Sequence, residues 1–307
     1  MTGRSMSSGL FLVALSAIAF GTLGVFGKLG ARAGLTLPLL LALRFGVAAV
    51  LLIAGLSAGR RLRVPSLRSA AAVALMGLLY AGQAACYFGS LRSVPAAVTS
   101  VLLYTYPVIV TVAARMLFGE ALSPLRVAAL AGAMAGIVLI VNPFVGAGRL
   151  DPAGVVLGLG SALVYSTYIL SGSVLLRSVD PVAATAGIAA VAACVFAIAG
   201  GLTGQLRPFQ PSGWLVVAGL AVIPTMLAAT AFLAGLRRVG PSLAATISTL
   251  EPATTALLAM AFVGESLAAW RWVGGALVLA AAVLLARTTV TGGRAGAEPS
   301  SSAPRGS

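Results

Sequence analysis

Ten apolar stretches, each about long enough to cross a lipid bilayer, follow one another with only short breaks. A spanning helix needs about 20 mostly apolar residues. The stretches fall at residues 9–28, 36–57, 69–90, 96–118, 127–145, 153–175, 182–204, 212–235, 242–263 and 270–289. No water reaches the hydrocarbon layer to bond backbone N–H and C=O groups, so each segment must satisfy its own backbone, as a helix does. The expected fold is an all-α integral membrane protein with ten transmembrane helices. Composition leaves little alternative. Only 8% of the residues are charged, against about 25% in a soluble domain. The first stretch follows Arg4 and could imitate a signal peptide. It reads better as an uncleaved helix, because the apolar run continues past Phe26 and nine more follow.

The breaks carry turn chemistry or charge: Arg60–Arg61–Leu62–Arg63–Val64–Pro65, Gly119–Glu120, Gly146–Ala147–Gly148–Arg149, Asp180–Pro181 and Gln205–Leu206–Arg207–Pro208. Residues 1–8 form a short N-terminal lead, and residues 290–307 are Gly-, Ser-, Pro- and Ala-rich and read as a disordered tail. With the N-terminus in the cytoplasm, thirteen Arg fall on the cytoplasmic side and six Lys or Arg on the other, with Arg44 inside a helix. That bias places both termini in the cytoplasm.

The chain also repeats itself at an offset of 145 residues. Gly9, Ser16 and Thr22 meet Gly154, Ser161 and Thr167. Leu91–Arg92 meets Leu236–Arg237, and Pro107 meets Pro252. Gly119–Glu120 meets Gly264–Glu265, and Arg126 meets Arg271. The units are residues 9–145 and 153–289, each with five helices. An odd number of crossings inserts the second unit upside down relative to the first. Such inverted repeats place a binding site near the bilayer midplane, where the halves meet.

The residue inventory excludes much chemistry. The chain has no His, so His-type zinc sites, Ser–His–Asp triads and histidine proton relays are absent. Cys86 and Cys194 lie inside apolar runs, which argues against a disulfide framework. The net charge of +14 would suggest nucleic acid in a soluble chain. Here the arginines sit in loops between spans and make no basic face, so no nucleic-acid partner is expected.

Two segments carry a family pattern. Tyr104–Thr105–Tyr106–Pro107 through Phe118–Gly119–Glu120, and Leu250–Glu251–Pro252 through Val263–Gly264–Glu265, resemble the EamA signature of the drug/metabolite transporter superfamily. Each shows a central proline in a helix that ends at Gly–Glu. Arg44 in Leu43–Arg44–Phe45 also matches that family's second helix. The resemblance implies ten helices and movement of small metabolites across the bacterial inner membrane without ATP or a bound cofactor. The nearest overall look is to the YddG-type amino-acid exporters. The halves differ at one informative place: Glu251 precedes the second proline, but Tyr106 precedes the first.

Glu251 is the sharpest candidate. A carboxylate at the bilayer centre costs about 2.5–3.5 kcal/mol on insertion scales, so it should face a cavity or a partner. It could hold a substrate ammonium group or a proton, or pair structurally with Arg44, the candidate charge partner. Pro107 and Pro252 each remove a helical hydrogen bond, leaving the carbonyls of Leu103 and Ser248 in need of partners; Pro224 does the same to Leu220. Polar stripes at helical spacing complete a candidate lining: Tyr80, Gln83 and Tyr87; Ser100, Tyr104, Pro107 and Thr111; Ser161, Tyr165 and Tyr168; Ser248, Glu251, Pro252 and Thr255. Any one of these can equally be glue between helices. Glu120 and Glu265 read as structural, either ion-paired or capping a neighbouring helix. Gly132 and Gly136 mark a packing face.

Three functions are open at this stage. A secondary transporter, most readily an amino-acid exporter working by alternating access, fits best. Its expected partners are a small-molecule substrate and the lipid bilayer, with the chain a monomer or weak dimer. Drugs, amines, nucleosides or sugars are the alternative cargo. A membrane enzyme lacks a nucleophile with a base, and a non-transporting scaffold has no need of the inverted repeat or the central Glu.

Overall fold

The computed structural model describes residues 3–60, 65–94, 96–120, 122–141, 150–263 and 269–295. They form ten helical units. We label them α1 (Gly3–Phe20 and Leu23–Arg32), α2 (Leu37–Ala58), α3 (Leu67–Ser90), α4 (Ala96–Leu103 and Tyr106–Phe118) and α5 (Pro124–Val141). The second half holds α6 (Pro152–Leu175), α7 (Pro181–Leu202), α8 (Gly213–Leu220, π-helical Ala221–Leu227 and Ala228–Val239), α9 (Pro241–Ile247 and Leu250–Val263) and α10 (Ala269–Ala295). Eight are long and apolar enough to span on those grounds alone, and the shorter apolar stretches Pro124–Ile140 and Trp272–Leu284 complete the ten.

Local chemistry sets the ends. Ser66 accepts the Ser69 N–H at 3.2 Å and starts α3. Asp180 accepts the Val182 and Ala183 N–H groups at 3.0 and 3.1 Å and starts α7. Asp151 does the same for α6. The Ser93 hydroxyl and the Gly154 and Ala153 N–H groups hold its carboxyl below the usual range. Pro at the first helical position recurs at α6, α7 and α9, where its missing N–H is no loss.

Some expected boundaries shift. α1 begins at Gly3 and reaches Arg32, and α8 continues to Val239. α10 runs on to Ala295, so residues 290–295, expected in a disordered tail, are helical. Residues 296–307 lie outside the described residues, as does Glu265.

The inverted repeat appears as a contact pattern. α2 packs on α7, and α5 on α10: each pair joins equivalent helices of the two halves. α3 packs on α6, and α1 on α8, which is one contact generated twice. Single atoms repeat it. A Cβ added at Gly9 would lie 2.6 Å from Val239 Cγ1, and one at Gly154 would lie 2.5 Å from Val94 Cγ2. Both positions shift by 145 residues between the halves. Lipid gives helices no hydrophobic reason to associate, so close backbone approach at small residues must supply the packing. Gly136 of α5 and Gly274 of α10 provide it: a Cβ on either would lie 2.6 Å from the other's carbonyl oxygen. Gly136 thus packs within the chain. Gly132 has open space around it. Glu120 fulfils the capping expectation by facing the Ser242 N–H at the start of α9.

Candidate functional site

Three spans break at the same kind of residue. In α1, Thr22 Oγ1 donates to the Ala19 carbonyl at 2.7 Å. In α4, Thr105 Oγ1 donates to Leu102 at 2.7 Å, and in α9 Thr249 Oγ1 donates to Thr246 at 2.6 Å. A hydroxyl folded back onto the carbonyl three residues earlier satisfies an acceptor that the interrupted ladder leaves open. Pro107 and Pro252 sit just beyond the breaks in α4 and α9. The carbonyl of Ser248, expected to lack a donor, instead accepts the Glu251 N–H at 3.0 Å. The chain tightens there to an i→i+3 bond.

α8 solves the same problem differently. Pro224 frees the Leu220 carbonyl inside a π-helical turn, and Thr225 Oγ1 donates to it at 2.8 Å. That hydroxyl in turn accepts Arg44 Nε at 2.8 Å, and Arg44 Nη2 reaches the Tyr80 hydroxyl at 3.5 Å. Thr225 and Tyr80 are equivalent positions of the two halves. Arg44, 5% exposed, therefore ties the pair together across the pseudo-symmetry axis. A cavity of about 20 Å³ opens beside Arg44, Tyr80, Tyr168 and Thr225, about the space of one water.

All six tyrosines of the chain gather in this region. Tyr80 meets Tyr168 with ring centres 5.7 Å apart, and Tyr168 stacks on Tyr165 at 5.8 Å. Tyr165 meets Tyr106 edge-on at 4.7 Å, and Tyr106 lies 6.1 Å from Tyr104. The Tyr104 hydroxyl faces the Glu251 carboxylate. A row of five aromatic rings thus runs from a guanidinium to a carboxylate. Tyr87 flanks it, bonded to Ser100 at 3.2 Å.

Glu251 is half-buried in the first turn of Leu250–Val263. The positive end of that helix segment favours a negative charge there. The carboxylate feels the charge of Arg44, yet the Arg44 donors go to Thr225 and Tyr80. The direct Arg44–Glu251 pair considered from sequence is not what these bonds form.

The predicted lining separates into two groups. Tyr80, Tyr87, Ser100, Tyr104, Tyr165, Tyr168 and Glu251 come together through the contacts above. Gln83 is half-buried on the same helix as Tyr80 and Tyr87, and Thr255 donates to the Glu251 carbonyl at 3.0 Å. Pro107 and Pro252 are buried next to the breaks. Ser161 and Ser248 turn their hydroxyls onto their own helices, at Gly158 (2.8 Å) and Ala244 (2.9 Å). Sequence reasoning passed over Tyr106, Thr225 and α1. Tyr106 is 1% exposed and sits in the ring row between Tyr165 and Tyr104. Thr225 was detectable beside Pro224 and opposite Tyr80 at the repeat offset. α1 approaches α9 so closely that a Cβ at Gly21 would lie 2.7 Å from Thr254 Cβ.

The profile of the EamA-like transporter family matches residues 7–142 and again residues 152–287. The chain belongs to the EamA-like transporter family. The uncharacterized inner membrane transporter YedA of Escherichia coli (strain K12) is 30% identical over 257 residues, 81% of each chain. An uncharacterized transporter of Archaeoglobus fulgidus is 26% identical over 284 residues, 92% of this chain and 97% of its own. A solved crystal structure shares the fold, with a TM-score of 0.81 at 22% identity, covering 91% of this chain and 98% of the other. The chain is thus a multi-pass membrane transporter built from two EamA repeats of five helices. The residues of the ring row are contributed by both repeats.

Proposed function

We propose that this chain exports amino acids, or small metabolites of similar chemistry, across the bacterial inner membrane by alternating access. The observation that carries this reading is the tyrosine row that ends at Glu251 where the broken spans of the two halves meet. A carboxylate at mid-membrane suits a substrate ammonium group. Tyrosine faces suit an apolar side chain and also attract a cation. Arg44 acts on substrate through Tyr80, whose hydroxyl it holds, while its Nε donor is taken by Thr225. The lining set of Tyr80, Gln83, Tyr87, Ser100, Tyr104, Tyr165, Tyr168, Glu251 and Thr255 belongs to this proposal. So do the cytoplasmic placement of both termini and the monomeric or weakly dimeric state.

Counterflow in liposomes tests it. The purified protein is reconstituted with unlabelled solute inside, and uptake of labelled amino acids, amines and nucleosides is followed. Saturable exchange of an amino acid supports the reading. Exchange of nucleosides or sugars alone would move the cargo to another class, and no exchange of any solute would favour a scaffold.

A further inference from the structure

The end of the bundle that carries the start of α1 holds a small polar cluster between α4 and α9. There Tyr106–Phe118 of α4 packs against Pro241–Ile247 of α9. Ser242 Oγ donates to Thr111 Oγ1 at 3.2 Å. Gly119, at φ 67°, turns the chain beyond α4. The Glu120 carboxylate faces the Ser242 backbone N–H, and a Cβ at Gly240 would lie 3.0 Å from Glu120 Oε1. Gly240 itself sits at φ 82°, where a side chain would also strain the backbone. Arg115 Nη1 donates to the Glu120 backbone carbonyl at 3.3 Å, and Arg126 of α5 attracts the carboxylate. A cavity of about 390 Å³ opens beside it, lined also by Arg177 and Arg237.

Toward the opposite end the two spans have different main neighbours. Ala96–Leu103 packs on α6 and α5, while Leu250–Val263 packs on α1, α5 and α10. The repeat offset adds a chemical asymmetry. The counterparts of Ser242 and Thr111 are Ala97 and Ala256, so their hydroxyl bond cannot be formed by the equivalent residues of the other end.

We infer that Glu120, Ser242 and Thr111 form a latch that biases the empty carrier toward the state closed at this end. The inference rests on the alternating-access reading and gives it a direction. Both ties cross from α4 to α9, so both must break for this end to open. A ligand or substitution shifts such a two-state balance only through what it bonds differently in the two states.

The test uses the full chain with Cys86 and Cys194 replaced by Ser, and Leu243→Cys placed behind the latch, where Leu243 is 4% exposed. The probe is a charged methanethiosulfonate, applied to the detergent-purified protein without substrate. Glu120→Ala removes a charged acceptor and should speed labelling about tenfold or more. Glu120→Gln keeps an acceptor oxygen for the Ser242 N–H and should stay within about twofold of the parent. Thr111→Val, losing one neutral bond, should give an increase of about threefold. Gel-filtration profile and melting temperature confirm folding, and Thr111→Val carries the test if Glu120→Ala does not fold. Labelling unchanged in both Glu120→Ala and Thr111→Val overturns the latch. So does Glu120→Gln labelling as fast as Glu120→Ala. Because no substrate is used, the latch can stand even where counterflow defeats the export reading.

Discussion

Tyr106 and Glu251 occupy the same position in the two halves, one residue before the proline of a broken span. Tyr106 is wholly buried and packs its ring between Tyr104 and Tyr165. Glu251 is half-buried and holds a carboxylate at the end of the ring row. Tyr80 and Thr225 differ in the same way: α3 runs unbroken past Tyr80, while α8 opens into a π-helical turn that Thr225 closes. Arg44 in α2 faces both, and its counterpart in α7 is Ala189. The two halves thus share a frame but divide the chemistry. The first gives the cation and four of the six tyrosines. The second gives the carboxylate and the deformable helix. An inverted repeat of identical halves would present two equal sites, whereas this division makes one polar axis between them.

That division can be probed by substituting its two sides unequally. The largest stability effect belongs to Arg44→Met. It removes a buried cation and its two hydrogen bonds, to Thr225 and to Tyr80. A loss of about 3 kcal/mol is expected, checked by thermal unfolding in detergent. Loss below about 1 kcal/mol would mean that the bridge between halves is unimportant. Next comes Thr225→Val, which removes the hydroxyl that joins the Leu220 carbonyl to Arg44 Nε and should cost about 1–2 kcal/mol. The paired substitution Tyr80→Phe gives up only the longer 3.5 Å bond and should cost less. Equal costs would contradict the assignment of the π-helical turn to Thr225.

The smallest effect is one of pH at the latch. Burial raises the Glu120 carboxyl above its ordinary range, while Arg126 and the Ser242 N–H pull it partly back. Arg115, Arg177 and Arg237 are the other charged groups beside it. A carboxyl that binds its proton more tightly when enclosed than when solvated takes up proton on closure. Acid therefore favours the closed end. Labelling of Leu243→Cys should slow modestly as pH falls from above the ordinary carboxyl range through it, after correction for thiolate content. Faster labelling in acid would reverse the sign.

Much of the frame was legible before any coordinates. Spans of bilayer length, the repeat at 145 and the odd number of helices per half together specify the inverted ten-helix bundle. Glu251 stood out because a charge in an apolar run is costly wherever it points. Less visible were features that depend on pairing across the axis. Arg44 could be read as a partner of Glu251 because opposite charges attract. Its actual partners are hydroxyls on two other spans, and only three-dimensional packing selects among them. Tyr106 was noted only as the residue that Glu251 replaces, since a buried tyrosine and a lining tyrosine look alike in sequence. The carbonyl of Ser248 was expected to be orphaned by Pro252. Hydrogen-bond rules for a regular helix cannot anticipate a turn that tightens to re-bond it.

The asymmetry between Tyr106 and Glu251 is the centre of this account, and counterflow with the two matched variants tests it most directly. Glu251→Gln preserves shape and removes charge, and Tyr106→Phe preserves the ring and removes the hydroxyl. For whichever amino acid the parent exchanges, Glu251→Gln should lose about a hundredfold in rate, as expected for a lost charge-assisted bond to an ammonium group. Tyr106→Phe should stay within about threefold. Full exchange by Glu251→Gln, with unchanged dependence on pH, would contradict the claim that the second half carries the charge-dependent step.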